Sequence, residues 1–174
     1  MHVEDLVVLV DDNDVPTGRL EEKLEAHRRG DLHRAFSVLL SDGTGRLLLQ
    51  RRALAKYHSG GLWTNTCCGH PQPGEGVSAA AERRLMEEMG IACHLTPLFR
   101  THYCAAVSNG LIENEVVHVF GGQFDGVPTP DPNEVEDWRW QSLEAISEDI
   151  ARQPGLYSIW FIKYVTECPG ALLK

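Results

Sequence analysis

Short apolar runs separated by turn residues mark out the first third of the chain. Leu6-Val-Val-Leu-Val10 is β-branched and apolar, and Asp-Asp-Asn-Asp with Pro16 follows it, so a strand is predicted over 6–10 and a turn over 11–18. Residues 21–29 read as a short helix or loop. Two more apolar runs, 33–40 and 46–50, flank Ser41-Asp-Gly-Thr-Gly45, whose glycines supply the positive φ values of a tight turn. A hairpin is predicted there. Residues 57–76 are rich in Gly, Pro, His and Asn and form a long loop, of the length that more often carries function than structure. A helix follows: Ser78 is placed to cap it, Ala81, Leu85 and Met89 fall on one stripe, and Gly90 stands where a C-cap glycine belongs. Arg84, Glu87 and Glu88 fall on the opposite arc. Strands are predicted over 100–106 and 116–124, around Ser108-Asn-Gly110, with a turn over 127–132. Asp137-Trp-Arg-Trp140 alternates as a strand does, and 142–164 reads as helix broken near Pro154-Gly155. No repeat or linker divides the pattern. One mixed α and β domain over 1–174, with its core about 6–164, is the expectation.

Charge and cysteine usage narrow the function classes. Sixteen Lys plus Arg against 25 Asp plus Glu leave a net charge of −9, the wrong sign for a general binder of nucleic-acid backbones or anionic membranes. Neither partner is expected. The apolar runs fall far short of the roughly 18 residues that cross a bilayer, and Met-His-Val-Glu-Asp at the start lacks a basic segment before an apolar one, so a cytoplasmic location is expected. The five cysteines, 67, 68, 93, 104 and 168, show no disulfide framework, and reduced thiols are expected. Oligomeric state is left open, with a monomer as the default.

The strongest local signal is Gly69, then Glu75 after five residues, then Arg83 after seven, running into Arg83-Arg-Leu-Met-Glu-Glu-Met-Gly-Ile91. This resembles the Nudix box, in which a loop and helix present carboxylates to divalent metals that hold a diphosphate. One position departs: Arg84 stands where the pattern has Glu, exchanging a metal-binding carboxylate for a cation. A plain exposed charged helix is the alternative. Just before the box stands Trp63-Thr-Asn-Thr-Cys-Cys-Gly-His-Pro-Gln72, and downstream Ile112-Glu-Asn-Glu-Val116. With Leu32-His33, Ala35-Phe36-Ser37 and Gln50-Arg-Arg-Ala53 in order, these segments make the chain similar to the type 1 isopentenyl-diphosphate isomerases, a metal-dependent branch of the Nudix-like fold. The resemblance implies an α/β/α sandwich with a mixed sheet.

It also implies a chemistry. Moving the double bond of isopentenyl diphosphate to give dimethylallyl diphosphate adds a proton at one carbon and removes one from its neighbour, through a tertiary carbocation. An acid and a base must flank the hydrocarbon in a pocket that excludes water. The resemblance places Cys68 and Glu115 in these roles, with Tyr103 as hydrogen-bond partner of the carboxylate and Trp160 beside the hydrocarbon, where a π face stabilises a cation. Cys67 is the rival thiol, and a core tryptophan is the alternative for Trp160. His27, His33, His70, Glu113 and Glu115 match the family's ligands for one ion, an N/O set suited to Mn²⁺, Zn²⁺ or Mg²⁺. Loading should fall below about pH 6.5, the ordinary His value. Lys23, Arg52, Lys56 and Arg84 match diphosphate-binding positions, while Glu88 and the Cys68 backbone carbonyl match the holders of a substrate-bound Mg²⁺. Glu87 is expected to be solvated, and His2, His58, His94, His102 and His118 match no ligand position. A Nudix pyrophosphohydrolase and a catalytically silent binding module are the competing functions.

Overall fold

Period-two alternation along β3 (His33–Ser41) sends Ala35 and Leu39 to one face and Phe36, Val38 and Leu40 to the other, and all five are buried. A strand buried on both faces needs cover on both, and the computed structural model, which describes residues 6–173, supplies it. Phe36, Val38 and Leu40 pack with Leu48 and Phe120 against Ala80, Ala81, Leu85 and Met89 of α2 (Val77–Met89). Ala35 and Leu39 pack with Leu47, Leu49, Val117 and Val119 against α3 (Leu143–Arg152) and α4 (Ile159–Glu167) through Ile146, Ile150, Phe161 and Tyr164. The result is an α/β/α sandwich around a mixed sheet. Each fully buried leucine in these layers contributes about 1.5–3 kcal/mol.

The sheet joins β1 (Leu6–Val10), β2 (Pro16–Glu22), β3, β4 (Arg46–Arg52), β5 (Trp63–Thr64), β6 (Cys67–Gly69), β7 (Thr96–Ala106), β8 (Ile112–Gln123) and β9 (Val135–Ser142). β3 runs parallel to β8 and antiparallel to its other partners, and β7 and β8 form a long antiparallel pair. The hairpin expected from 33–50 is opened: β3 and β4 meet in register only at Ser41 and Leu47. Beyond that point they diverge, and residues 63–69 fill the gap. β6 pairs with Phe36, Ser37 and Val38, β5 pairs with Gln50 and Arg51, and the Thr66 hydroxyl bridges the Leu40 N–H and the Leu48 carbonyl. The loop expected over 57–76 therefore contains two short strands.

Two other expectations shift. Part of the turn predicted over 11–18 belongs to β2, which shows no apolar alternation because its residues face solvent on both sides. Ser78 does not cap α2; Gly76 holds the N-cap position, and Ser78 lies inside the first turn. Gly90 does end the helix, at φ 66, where a Cβ would lie 2.0 Å from the Thr129 hydroxyl. The short α1 (Lys23–Arg29) buries Ala26 and His27. No helix among the described residues is long and apolar enough to cross a membrane.

Candidate active site and metal centre

The residues wedged between β3 and β4 set the thiol. Asn65 is fully buried, and its amide N–H₂ donates to the carbonyls of Val38 (3.0 Å) and Cys67 (2.8 Å). This fixes its side-chain oxygen, which accepts from the Thr64 hydroxyl (2.9 Å), the Trp160 indole N–H (3.1 Å) and the Cys68 thiol (3.2 Å). The Ser37 hydroxyl, 3.0 Å from the Tyr164 hydroxyl, lies 3.6 Å from the Cys68 sulfur. Burial pushes the Cys68 thiol up to about 11, against the partial relief of Ser37, Arg52 and Asn65, so it carries its proton at neutral pH. Cys67 is buried in the α2-facing core, and only Cys68 of the pair lines the cavity described below. Gly69 follows where a Cβ would come within 2.8 Å of the Phe36 ring.

Sheet register assembles the inner end of that cavity. Glu115 of β8 stands in register with His33 on one side and Tyr103 on the other. The Tyr103 hydroxyl lies 2.6 Å from Glu113 Oε2 and 3.0 Å from Glu115 Oε2, while His70 Nε2 is 3.0 Å and His33 Nε2 is 3.4 Å from Glu115 Oε1. Backbone carbonyls engage the far nitrogens of two rings: Lys23 O with His27 Nδ1 (2.6 Å) and Asp31 O with His33 Nδ1 (2.8 Å). That leaves each Nε2 for the site, the arrangement found for metal-binding imidazoles. One ligand atom each from His27, His33, His70 and Glu115 lie mutually within 4.8 Å, and His33 Nε2 is buried without a hydrogen-bond partner. An orphaned buried nitrogen amid imidazoles and carboxylate fits a divalent cation with N/O preference.

Glu113 groups with His27 and His58 in a second set of donors, not in the first. The two sets have His27 in common, whose Nε2 also lies 3.5 Å from the Tyr57 hydroxyl. Burial and the Glu115 charge raise Glu113 well above the ordinary range. Burial alone would raise Glu115 too, but His33 and His70 beside it outweigh that and hold it well below. Burial draws His27 down, and draws His70 down to about 3, so His70 is neutral well below the ordinary imidazole value.

A cavity of about 290 Å³ extends from this centre to the surface. Cys68, His70, Tyr103, Glu113, Glu115 and Trp160 line its inner part, and Lys23, Arg52, Lys56, Arg84 and Glu88 line the rest. His27 and His33 lie buried behind the wall. Arg52 packs its guanidinium 5.3 Å from the Trp160 ring, donates to the His58 carbonyl (3.2 Å) and leaves Nε buried without a partner. Arg84 reaches Glu88 (2.5 Å), Glu87 (2.8 Å) and Glu134 (3.3 Å), and Lys56 also bonds Glu134. Glu88 is buried and accepts from Gln50 (3.0 Å). Glu87 is exposed, as expected of it, but paired to Arg83 and Arg84. Glu75 of the Nudix-like motif is occupied by Arg83 at 2.7 Å.

Sequence reasoning missed Asn65, His58 and Glu134 as parts of this site. Asn65 stood inside a quoted motif, but nothing local marks its side chain as the shared acceptor of thiol and indole. His58, matched to no ligand position, is 2% exposed and 3.1 Å from Glu113.

Residues 31–160 match the NUDIX domain family. The chain is 54% identical over 158 residues to isopentenyl-diphosphate Delta-isomerase 1 of Aromatoleum aromaticum, covering 91% of this chain and 89% of that protein. It is 52% identical to the isopentenyl-diphosphate Delta-isomerase of Burkholderia multivorans, covering 91% and 90%. Among solved structures, protein DR0079 of Deinococcus radiodurans superposes with a TM-score of 0.78 at 20% identity over 94% of this chain and 98% of that one. A MutT NUDIX hydrolase from Burkholderia pseudomallei gives 0.63 at 23% identity, over 79% and 98%, and both show the shared fold.

Proposed function

The chain belongs to the NUDIX family and, within it, to the isopentenyl-diphosphate Delta-isomerases, and from that premise we propose that it interconverts isopentenyl and dimethylallyl diphosphate by proton addition and removal through a tertiary carbocation. The observation that carries this reading is one cavity holding a proton-bearing thiol and an ionised carboxylate, with Lys23, Arg52, Lys56 and Arg84 among the cations along its wall. It acts as a single domain on a small-molecule diphosphate.

The Cys68 thiol gives its proton to the terminal carbon of the double bond, whose π electrons form the new C–H bond and leave a tertiary cation. The Glu115 carboxylate takes a proton from the adjacent methylene, and that C–H pair becomes the new double bond. Thiolate and carboxylic acid exchange a proton with solvent before the next forward turnover; in reverse the two groups swap tasks. Trp160 offers the cation a π face. The Tyr103 hydroxyl holds the carboxylate oxygens. Arg52, Lys56, Arg84 and Lys23 bind the diphosphate oxygens, and Glu88 with the Cys68 carbonyl holds the Mg²⁺ that accompanies it. His27, His33, His70, Glu113 and Glu115 hold a second divalent ion, Mn²⁺, Zn²⁺ or Mg²⁺, which when bound supplies fixed positive charge beside the carboxylates.

Cys68→Ala tests the assignment. It is expected to bind Mn²⁺ and isopentenyl diphosphate as the parent does, by calorimetry, while turnover falls about 10²–10⁴-fold, the range for a positioned acid or base. Undiminished turnover would remove Cys68 from the mechanism.

A further inference from the structure

His58 lies outside every motif that points to chemistry, yet the fold fixes it with unusual care. Its ring is buried between the metal centre and Trp160, 5.5 Å from the His27 ring and 5.9 Å from the indole. Its backbone carbonyl accepts from Arg52, and the N–H of the next residue, Ser59, donates to the Ser108 hydroxyl oxygen (2.8 Å). Asn109 ties the preceding carbonyl, that of Tyr57, at 2.8 Å. Ser59 sits at φ 52, a left-handed conformation that a non-glycine residue keeps only where surrounding contacts impose it. These ties bring His58 Nε2 to 3.1 Å from Glu113 Oε1 and His58 Nδ1 to 3.1 Å from the Ser59 hydroxyl.

With Glu113 ionised, as a carboxylate ligand to a metal must be, it only accepts, so His58 Nε2 carries the hydrogen and Nδ1 accepts from the Ser59 hydroxyl. Tyr103 meets the other oxygen of the same carboxylate at 2.6 Å. We propose that His58 is a positioning residue of the metal centre: its Nε2–H and the Tyr103 hydroxyl clamp the two oxygens of Glu113 and turn the remaining lone pairs toward the site shared with His27. This rests on the reading of His27, His33, His70, Glu113 and Glu115 as metal ligands. It brings Glu113, which does not group with the first four donors, into their centre.

Metal-free protein titrated with Mn²⁺, with free Mn²⁺ read by electron paramagnetic resonance, tests this without recourse to activity. His58→Leu is expected to bind Mn²⁺ about 10–100-fold more weakly, the usual effect of losing such an outer partner. His58→Gln, whose amide nitrogen takes the place of Nε2, restores most of the affinity. In a Glu113→Gln background, His58→Leu costs little more, because its partner is already gone. Should circular dichroism show the Leu variant unfolded, His58→Asn, too short to reach Glu113, replaces it. Wild-type affinity in His58→Leu overturns the inference; a Gln variant as weak as the Leu variant makes His58 a ligand instead; full, additive losses in the double variant make it a structural wall. A wild-type protein that takes up no Mn²⁺ overturns the metal reading itself, and this inference with it.

Discussion

At the inner end of the cavity, imidazoles and carboxylates are buried, hold one another at 3.0–3.4 Å and are aimed by backbone carbonyls and strand register. At the outer end, Lys56 and Arg84 are 19% and 23% exposed and share their charge among Glu134, Glu87 and Glu88. The difference lies in solvent. Inside, desolvation sets the protonation states, raising the Cys68 thiol and Glu113 and lowering His27 and His70, so a small change in geometry changes the chemistry. Outside, partly hydrated cations exchange one anionic partner for another at modest cost, which suits groups that must bind and release a diphosphate.

Breaking the inner end should therefore cost most. Glu115→Gln removes both a proton acceptor and a candidate ligand, and turnover is expected to fall at least as far as in Cys68→Ala, about 10²–10⁴-fold, now with weaker Mn²⁺ uptake. Steady-state kinetics beside a metal titration separates the two variants, and a Glu115→Gln protein with intact uptake would detach that carboxylate from the ion. At the outer end, Arg84→Ala should raise KM about 10–100-fold, from the 1.5–3 kcal/mol of a charged hydrogen bond, while kcat changes little. A kcat loss with unchanged KM would place Arg84 in the proton chemistry instead. The comparison also predicts a pH dependence. Since burial raises the thiol, its proton is kept through the ordinary range and lost only as pH rises through about 11, so the alkaline limb of kcat/KM should lie near 11 and not near 9. The smallest effect is expected for Glu87→Gln, whose exposed pairs with Arg83 and Arg84 are worth about 0.2–1 kcal/mol, a change of a few-fold or less in KM.

Much of the fold was legible because the continuous apolar runs over 33–40 and 46–50, and the Ala81, Leu85, Met89 stripe, are local patterns written into adjacent residues. The hairpin was misjudged because its turn signal is local while the partners of β3 are not: residues 115–123 and 67–69 take its edges. The start of β2 was read as turn, and its end as helix or loop, because a strand solvated on both faces leaves no alternation. The same division holds in the site. Cys68-Gly-His70 and Glu113-Asn-Glu115 carry their chemistry in contiguous residues and were visible. His58, Asn65 and Glu134 take their meaning from partners distant in the sequence, Glu113, Trp160 and the Lys56–Arg84 pair, that only folding brings near.

The central claim, that a thiol and a carboxylate in this one cavity add and remove protons, is tested most directly by a proton NMR time course of isopentenyl diphosphate with the protein, Mg²⁺ and Mn²⁺ in D₂O. The account predicts dimethylallyl diphosphate carrying deuterium from solvent. Unchanged carbon signals with monophosphate accumulating would contradict it and assign the cavity to pyrophosphate hydrolysis, and no change at all in metal-loaded protein would leave a binding module in place of an enzyme.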